Sequence, residues 1–200
     1  EAVVEFKMFK IPSEKIPGRD QLLDAFNRCL QYESWEIQED HTTKDFFKEA
    51  VKKISSSECS ILRISDFKTT GLTGSKKKFN SDWTNLTKSS GVSDKNGTAG
   101  GSYGIGKFAP FACSHFSTVF YSTYDIDGTR ASQGVARLVT FTREDGEDTQ
   151  GVGYFGDEKN TPVYEELYLD PDFKRKDGEY GTDIYIAGYN GDESWKKELV

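Results

Sequence analysis

Two hundred residues, 35% of them hydrophobic and 14% aromatic, set the scale of one domain with a buried core and exclude a disordered tail. Thirty-three acids against 26 bases give a net charge of −7, which speaks against a general binder of nucleic-acid backbone, although Lys76-Lys77-Lys78 forms a local basic patch. No apolar run approaches the roughly 18–20 residues of a membrane span and no secretory leader opens the chain, so the expected location is cytoplasmic, with no membrane partner.

Ala2 to Phe9 sets Val4, Phe6 and Met8 against Val3, Glu5 and Lys7, a period of two that predicts a strand, ended by Pro12 and Pro17-Gly18. From Arg19 to about Ser34, the residues Leu22, Leu23, Phe26, Cys29 and Leu30 recur every three or four positions and predict a helix with that face buried. A second helix is expected from Thr43 to Ser55 on the stripe Phe46, Phe47, Ala50, Val51 and Ile54. Cys59 to Ser65 reads as an apolar strand that delivers Asp66 at its C-terminal end. Residues 67–103 form a polar, glycine-punctuated loop with one short helix near Trp83 to Leu86, and a loop of that length is usually functional.

A helix through Phe108 to Cys113 accommodates Pro110 in its first turn. Phe116 to Tyr124, Ala131 to Thr142 and Thr149 to Phe155 predict an antiparallel meander, turned at Asp127-Gly128 and Asp145-Gly146. Thr182 to Ala187 is the last expected strand. Glu1 at the start and a helix-like run after Asp192 read as the ends of a fragment, so residues 1–200 are expected to be a single domain of a longer protein. Cys29, Cys59 and Cys113 are odd in number and widely spaced, and read as reduced buried thiols. No CxxC pair occurs, and His41 and His115 have no neighbouring ligands, so zinc is not expected.

The densest glycine run, Gly100-Gly101-Ser102-Tyr103-Gly104-Ile105-Gly106-Lys107-Phe108, opens onto the predicted helix at Phe108, where unpaired N–H groups favour an anion. It is not an ordinary P-loop: Phe108 stands where a magnesium-binding hydroxyl belongs, and no apolar strand leads into it. A kinase glycine loop fails as well, because no Val-Ala-Ile-Lys or His-Arg-Asp segment follows.

The order Asp66–Thr69-Thr70-Gly71-Leu72, Lys88-Ser89-Ser90-Gly91-Val92-Ser93-Asp94-Lys95, Gly101-x-x-Gly104-x-Gly106 and Gly181-Thr182 resembles the ATPase domain of the GHKL superfamily, which includes gyrase B, the large heat-shock chaperone, histidine kinases, MutL and MORC proteins. The resemblance covers residues 19–187 and implies a two-layer α/β sandwich of Bergerat type, with a mixed, mainly antiparallel sheet and helices on one face. It implies that Asp66 accepts the adenine amino group, with Gly71 and Leu72 close to the purine and Thr182 reading the ring beside it. Residues 85–103 then correspond to an ATP lid, with Ser89, Ser90 and Lys95 reaching phosphate and Gly101, Ser102, Tyr103, Gly104, Ile105, Gly106 and Lys107 forming the phosphate hinge.

The family's first helix carries a glutamate base and a magnesium-binding asparagine. Here Asp20 takes the base position, and either Asp24 or Asn27 the Mg²⁺ position, all three on one stripe of the first helix. The usual Asp-x-Gly-x-Gly becomes Asp66-Phe67-Lys68-Thr69-Thr70-Gly71, with the first glycine lost and one residue added. The implied function is Mg²⁺-dependent ATP binding with slow hydrolysis that closes the lid and rearranges or dimerises a larger protein through flanking segments or further domains. The alternative is a nucleotide-sensing interaction module that binds ATP or ADP without turnover.

Overall fold

A computed structural model of the chain describes residues 1–31, 41–88 and 105–191. Six strands, β1 (Val3–Pro12), β2 (Glu58–Phe67), β3 (Ser114–Tyr124), β4 (Arg130–Arg137), β5 (Val152–Phe155) and β6 (Gly181–Tyr189), form one open sheet in the order β1-β2-β6-β3-β4-β5. Helices α1 (Arg19–Gln31), α2 (His41–Ile54), α3 (Asp82–Thr87) and α4 (Ala109–Ala112) lie between them, with short 3₁₀ turns at Ser13–Lys15 and Ile105–Phe108. Every strand pairing is antiparallel, which corrects the expected mixed sheet. The meander β3-β4-β5 forms as expected, but β4 stops at Arg137 because residues 138–151 close their own turn, with Leu138 N donating to the Gly151 carbonyl at 2.7 Å.

Alternation along β3 separates two cores. Phe120 packs with Phe26, Cys29, Phe47, Ala50, Ile54, Cys59, Ile61 and Tyr185 beneath α1 and α2. Val119 and Tyr121 point the other way, into a second cluster with Trp83, Phe111, Ala131 and Val135, joined by Leu72, Leu86 and Phe108. Helices therefore cover both faces, not one as expected. The physical reason is visible in the strands: Thr118 to Thr123 are all buried, and a sheet apolar on both sides must be covered on both sides. Phe26 anchors α1 by meeting Phe47 and Phe116 with ring centroids 6.1 and 6.0 Å apart. Burying such a ring contributes roughly 2–3 kcal/mol.

The first face is completed near the C-terminal end of β2 by the segment 157–180, where Phe173 meets Phe67 edge-on at 6.0 Å. This segment adds Leu169 to the core and buries charge as well. Arg63 lies 3.0 Å from Asp170 and is also paired with Glu5, while Arg175 holds Asp183 through two hydrogen bonds of 2.9 and 2.7 Å.

Candidate functional site

Asp66 leaves β2 on the face away from α1 and α2, since its cross-strand partner Val4 and the pairs Ile64↔Ile184 and Tyr121↔Ile184 all share that side. The backbone that follows is held tightly. Asp66 Oδ1 accepts from Thr69 Oγ1 at 2.8 Å and from the Thr182 N–H at 2.7 Å, and Thr69 Oγ1 in turn accepts from the Gly71 N–H at 3.2 Å. The Leu72 N–H donates to Thr123 Oγ1 at 2.8 Å, and that hydroxyl donates to the Gly181 carbonyl at 3.2 Å. These bonds tie the ends of β2, β3 and β6 into one rim. Asp66 Oδ2 carries no hydrogen bond to a described residue, so one acceptor of a half-buried carboxylate stays open.

Two glycines make this approach of strands feasible. Gly71 has φ +65°, and a Cβ there would lie 2.5 Å from the Tyr124 carbonyl oxygen and 2.9 Å from Asp125 Cα. A Cβ on Gly181 would overlap the Asp66 carbonyl oxygen and stand 2.7 Å from Asp66 Oδ1. Lys68, in the segment where the resembled motif loses its first glycine, has a left-handed backbone at φ +60°.

Beneath the rim, on the opposite face, the fully buried Arg175 donates from Nη2 to the Asp66 carbonyl at 2.7 Å and to the Thr182 carbonyl at 3.2 Å. Its own backbone N–H is held by Glu166 Oε1 at 3.0 Å. Thr123 and Arg175 carry no signal in the sequence, and Thr69 stands there only within the run Thr69-Thr70-Gly71-Leu72, with no role of its own. Thr123 stands directly across from Thr182 in the β3–β6 register, and only strand order reveals that.

The structure thus brings together Asp66, Gly71, Leu72 and Thr182. It does not bring Asp20, Asp24 or Asn27 to them. Those residues lie on the outer side of α1, across the sheet, and helical periodicity shows which side of a helix is buried but not which sheet face it covers. Asp20 is paired with Arg19 at 2.7 Å and Asp24 with Arg28 at 2.7 Å. The Mg²⁺ position implied for Asp24 or Asn27, and the base position implied for Asp20, therefore do not fit a site shared with Asp66. Among the described residues no group of three or more His, Cys, Asp or Glu is placed to hold a metal.

Ser89, Ser90, Lys95, Gly101, Ser102, Tyr103 and Gly104 lie outside the described residues. Ile105, Gly106 and Lys107 form the 3₁₀ turn before α4, where Lys107 Nζ donates to the Asn85 carbonyl at 2.8 Å. Burial, with Arg137 nearby, pushes the Lys107 ammonium below its ordinary value. A cleft of about 470 Å³ opens elsewhere, between α1 and β4–β5, but its walls carry no charged side chain, so size alone does not mark it as the chemical site. Comparison of the chain with family models, curated proteins and solved structures found no match.

Proposed function

We propose that the rim around Asp66 binds the adenine ring of ATP or ADP and that the domain acts as a nucleotide-responsive module of a larger protein. The observation that carries this reading is the carboxylate itself: Oδ1 is fixed by Thr69 and Thr182, and Oδ2 is left as an oriented acceptor. An exocyclic amine suits that acceptor, whereas the carbonyl that guanine presents at the same ring position would be repelled by it. Gly71 lets the chain after Asp66 pack against the Tyr124–Asp125 backbone at the rim, and the partly buried Leu72 side chain supplies an apolar surface there. The resemblance to GHKL domains supports the same ligand.

Binding without fast turnover is favoured over Mg²⁺-dependent hydrolysis by one observation: the acids of α1, which would have supplied the base and the metal ligand, stand on the other face of the sheet. No hydrolytic step is derived through them.

The test is calorimetric titration of the chain and of Asp66→Asn with ATP, ADP and a non-hydrolysable analogue, with and without Mg²⁺. Asparagine keeps a carbonyl oxygen for Thr69 and Thr182 but turns the open acceptor into a donor, so the fold should hold while the ligand is lost. A hydrogen bond to a charged group contributes about 1.5–3 kcal/mol, which corresponds to an affinity loss of about 10- to 100-fold. Equal affinity in the two proteins, or no binding by the unmodified chain, overturns the assignment.

A further inference from the structure

The chain has seven arginines, and six of them have a carboxylate within ion-pair distance: Arg19, Arg28, Arg63, Arg130, Arg143 and Arg175. Arg137 is the exception among the described residues. Its Nε is buried and has no hydrogen-bond partner, and its guanidinium lies 4.4 Å from the ring centroid of Phe108 and 5.1 Å from that of Phe111. Aromatic rings can satisfy the flat faces of a guanidinium but not its N–H edge, which requires oxygen lone pairs. Among the described residues no carboxylate lies within ion-pair distance of this guanidinium.

Arg137 also lines a cleft of about 460 Å³ at the end of the sheet where β3 begins, together with Thr42, Phe46, Phe111, His115 and Ser117. Burial, with Lys53 nearby, pushes the His115 imidazole below its ordinary value, so near neutral pH it contributes a neutral donor and acceptor rather than a second charge. Lys107 lies near Arg137 but does not line the cleft, its ammonium donating to the Asn85 carbonyl at 2.8 Å. The wall is therefore apolar through Phe46 and Phe111, hydroxylated through Thr42 and Ser117, and cationic at one point.

We propose that this cleft is a binding site for an oxyanion, a phosphate or carboxylate group carried on a small apolar or aromatic body, with the N–H edge of Arg137 as its anchor. It is distinct from the adenine rim. Six residues of β3 separate Ser117 from Thr123, about 20 Å at the rise of a strand. The assignment does not depend on nucleotide binding.

Phenyl phosphate is the probe, because it joins the anion to an aromatic ring, with inorganic phosphate as the anion alone. Titration of the whole chain should show saturable binding of phenyl phosphate, tighter than that of inorganic phosphate. The Nε–Hε resonance of Arg137 should move on binding, a readout that needs no variant. Arg137→Gln should weaken the affinity at least tenfold, whereas Asp66→Asn and the surface variant Arg143→Gln should leave it unchanged. Absence of binding at millimolar phenyl phosphate, an unmoved Arg137 resonance in the bound state, or loss of binding in Asp66→Asn each overturns the proposal.

Discussion

The rim around Asp66 depends on backbone conformations that single residues permit or resist. Gly71 combines φ +65° with backbone atoms of Tyr124 and Asp125 where a Cβ would stand, and backbone cannot move aside as a flexible side chain can. Gly71→Ala should therefore destabilise the fold by about 2 kcal/mol or more, from left-handed strain and overlap together. Lys68 presents the opposite case, an exposed side chain in a left-handed position at φ +60°. Lys68→Gly should raise stability by about 0.5–1 kcal/mol, because the strain relieved exceeds the entropy that glycine adds to the unfolded chain. Urea midpoints at equal slope check both signs. If the two variants shifted in the same direction, the local backbone account of the motif would fail.

Among the elements, α3 is too short to sustain itself, with six residues set between irregular segments. It is held by a reciprocal cap, in which Ser81 Oγ accepts from the Thr84 N–H at 3.2 Å and Thr84 Oγ1 accepts from the Ser81 N–H at 3.0 Å, and by Trp83, which is fully buried against β3 and β4. Ser81→Ala removes one half of the cap and should cost about 1 kcal/mol, read as a lower urea midpoint and earlier exposure of Trp83 fluorescence. The elements themselves were legible in the sequence because their signals are local. Alternation in β1, the apolar stripe of α1 and the Asp-Gly turns of the meander each specify a conformation within a few residues. What was not legible is how the elements stack. The stripe Leu22, Phe26, Cys29 identifies a buried helix side, yet nothing in it distinguishes the sheet face bearing Phe120 from the face bearing Tyr121. The resemblance placed the acids of α1 with Asp66, from which the sheet separates them. Position 68 illustrates a further limit: the sequence shows a lysine in the segment where the resembled motif loses its first glycine, but not that the backbone there is left-handed. Arg175 sits in the charged run Lys174-Arg175-Lys176-Asp177, which carries no local sign of burial, and only its pairing with Asp183 on β6 draws it inside.

For the molecule as a whole, the buried acids that titrate late are thiols and phenols, and they fix how stability responds to alkali. Burial pushes the Cys29 and Cys59 thiols up to about 11, and it raises the Tyr121 and Tyr185 phenols as well. In the unfolded chain the thiols release protons near pH 8.5 and the phenols near pH 10, as free side chains do. Between those values and the folded ones the unfolded state binds fewer protons, so stability must fall as pH rises. The contribution is fully present below about pH 8.5 and is lost progressively as pH climbs through 11. A net charge that grows more negative also loosens the fold in this range, but exposed charges are screened by salt whereas buried thiols are not. The melting temperature should accordingly be level from pH 7 to 8 and decline steadily above about pH 9, with the decline persisting in molar salt. The double variant Cys29→Ala/Cys59→Ala should start lower, because two core side chains are truncated, and should lose less per pH unit between 9 and 10. A parent curve flat to pH 10.5, or a double variant with the parent's slope, would remove these thiols as the origin of the alkaline limb.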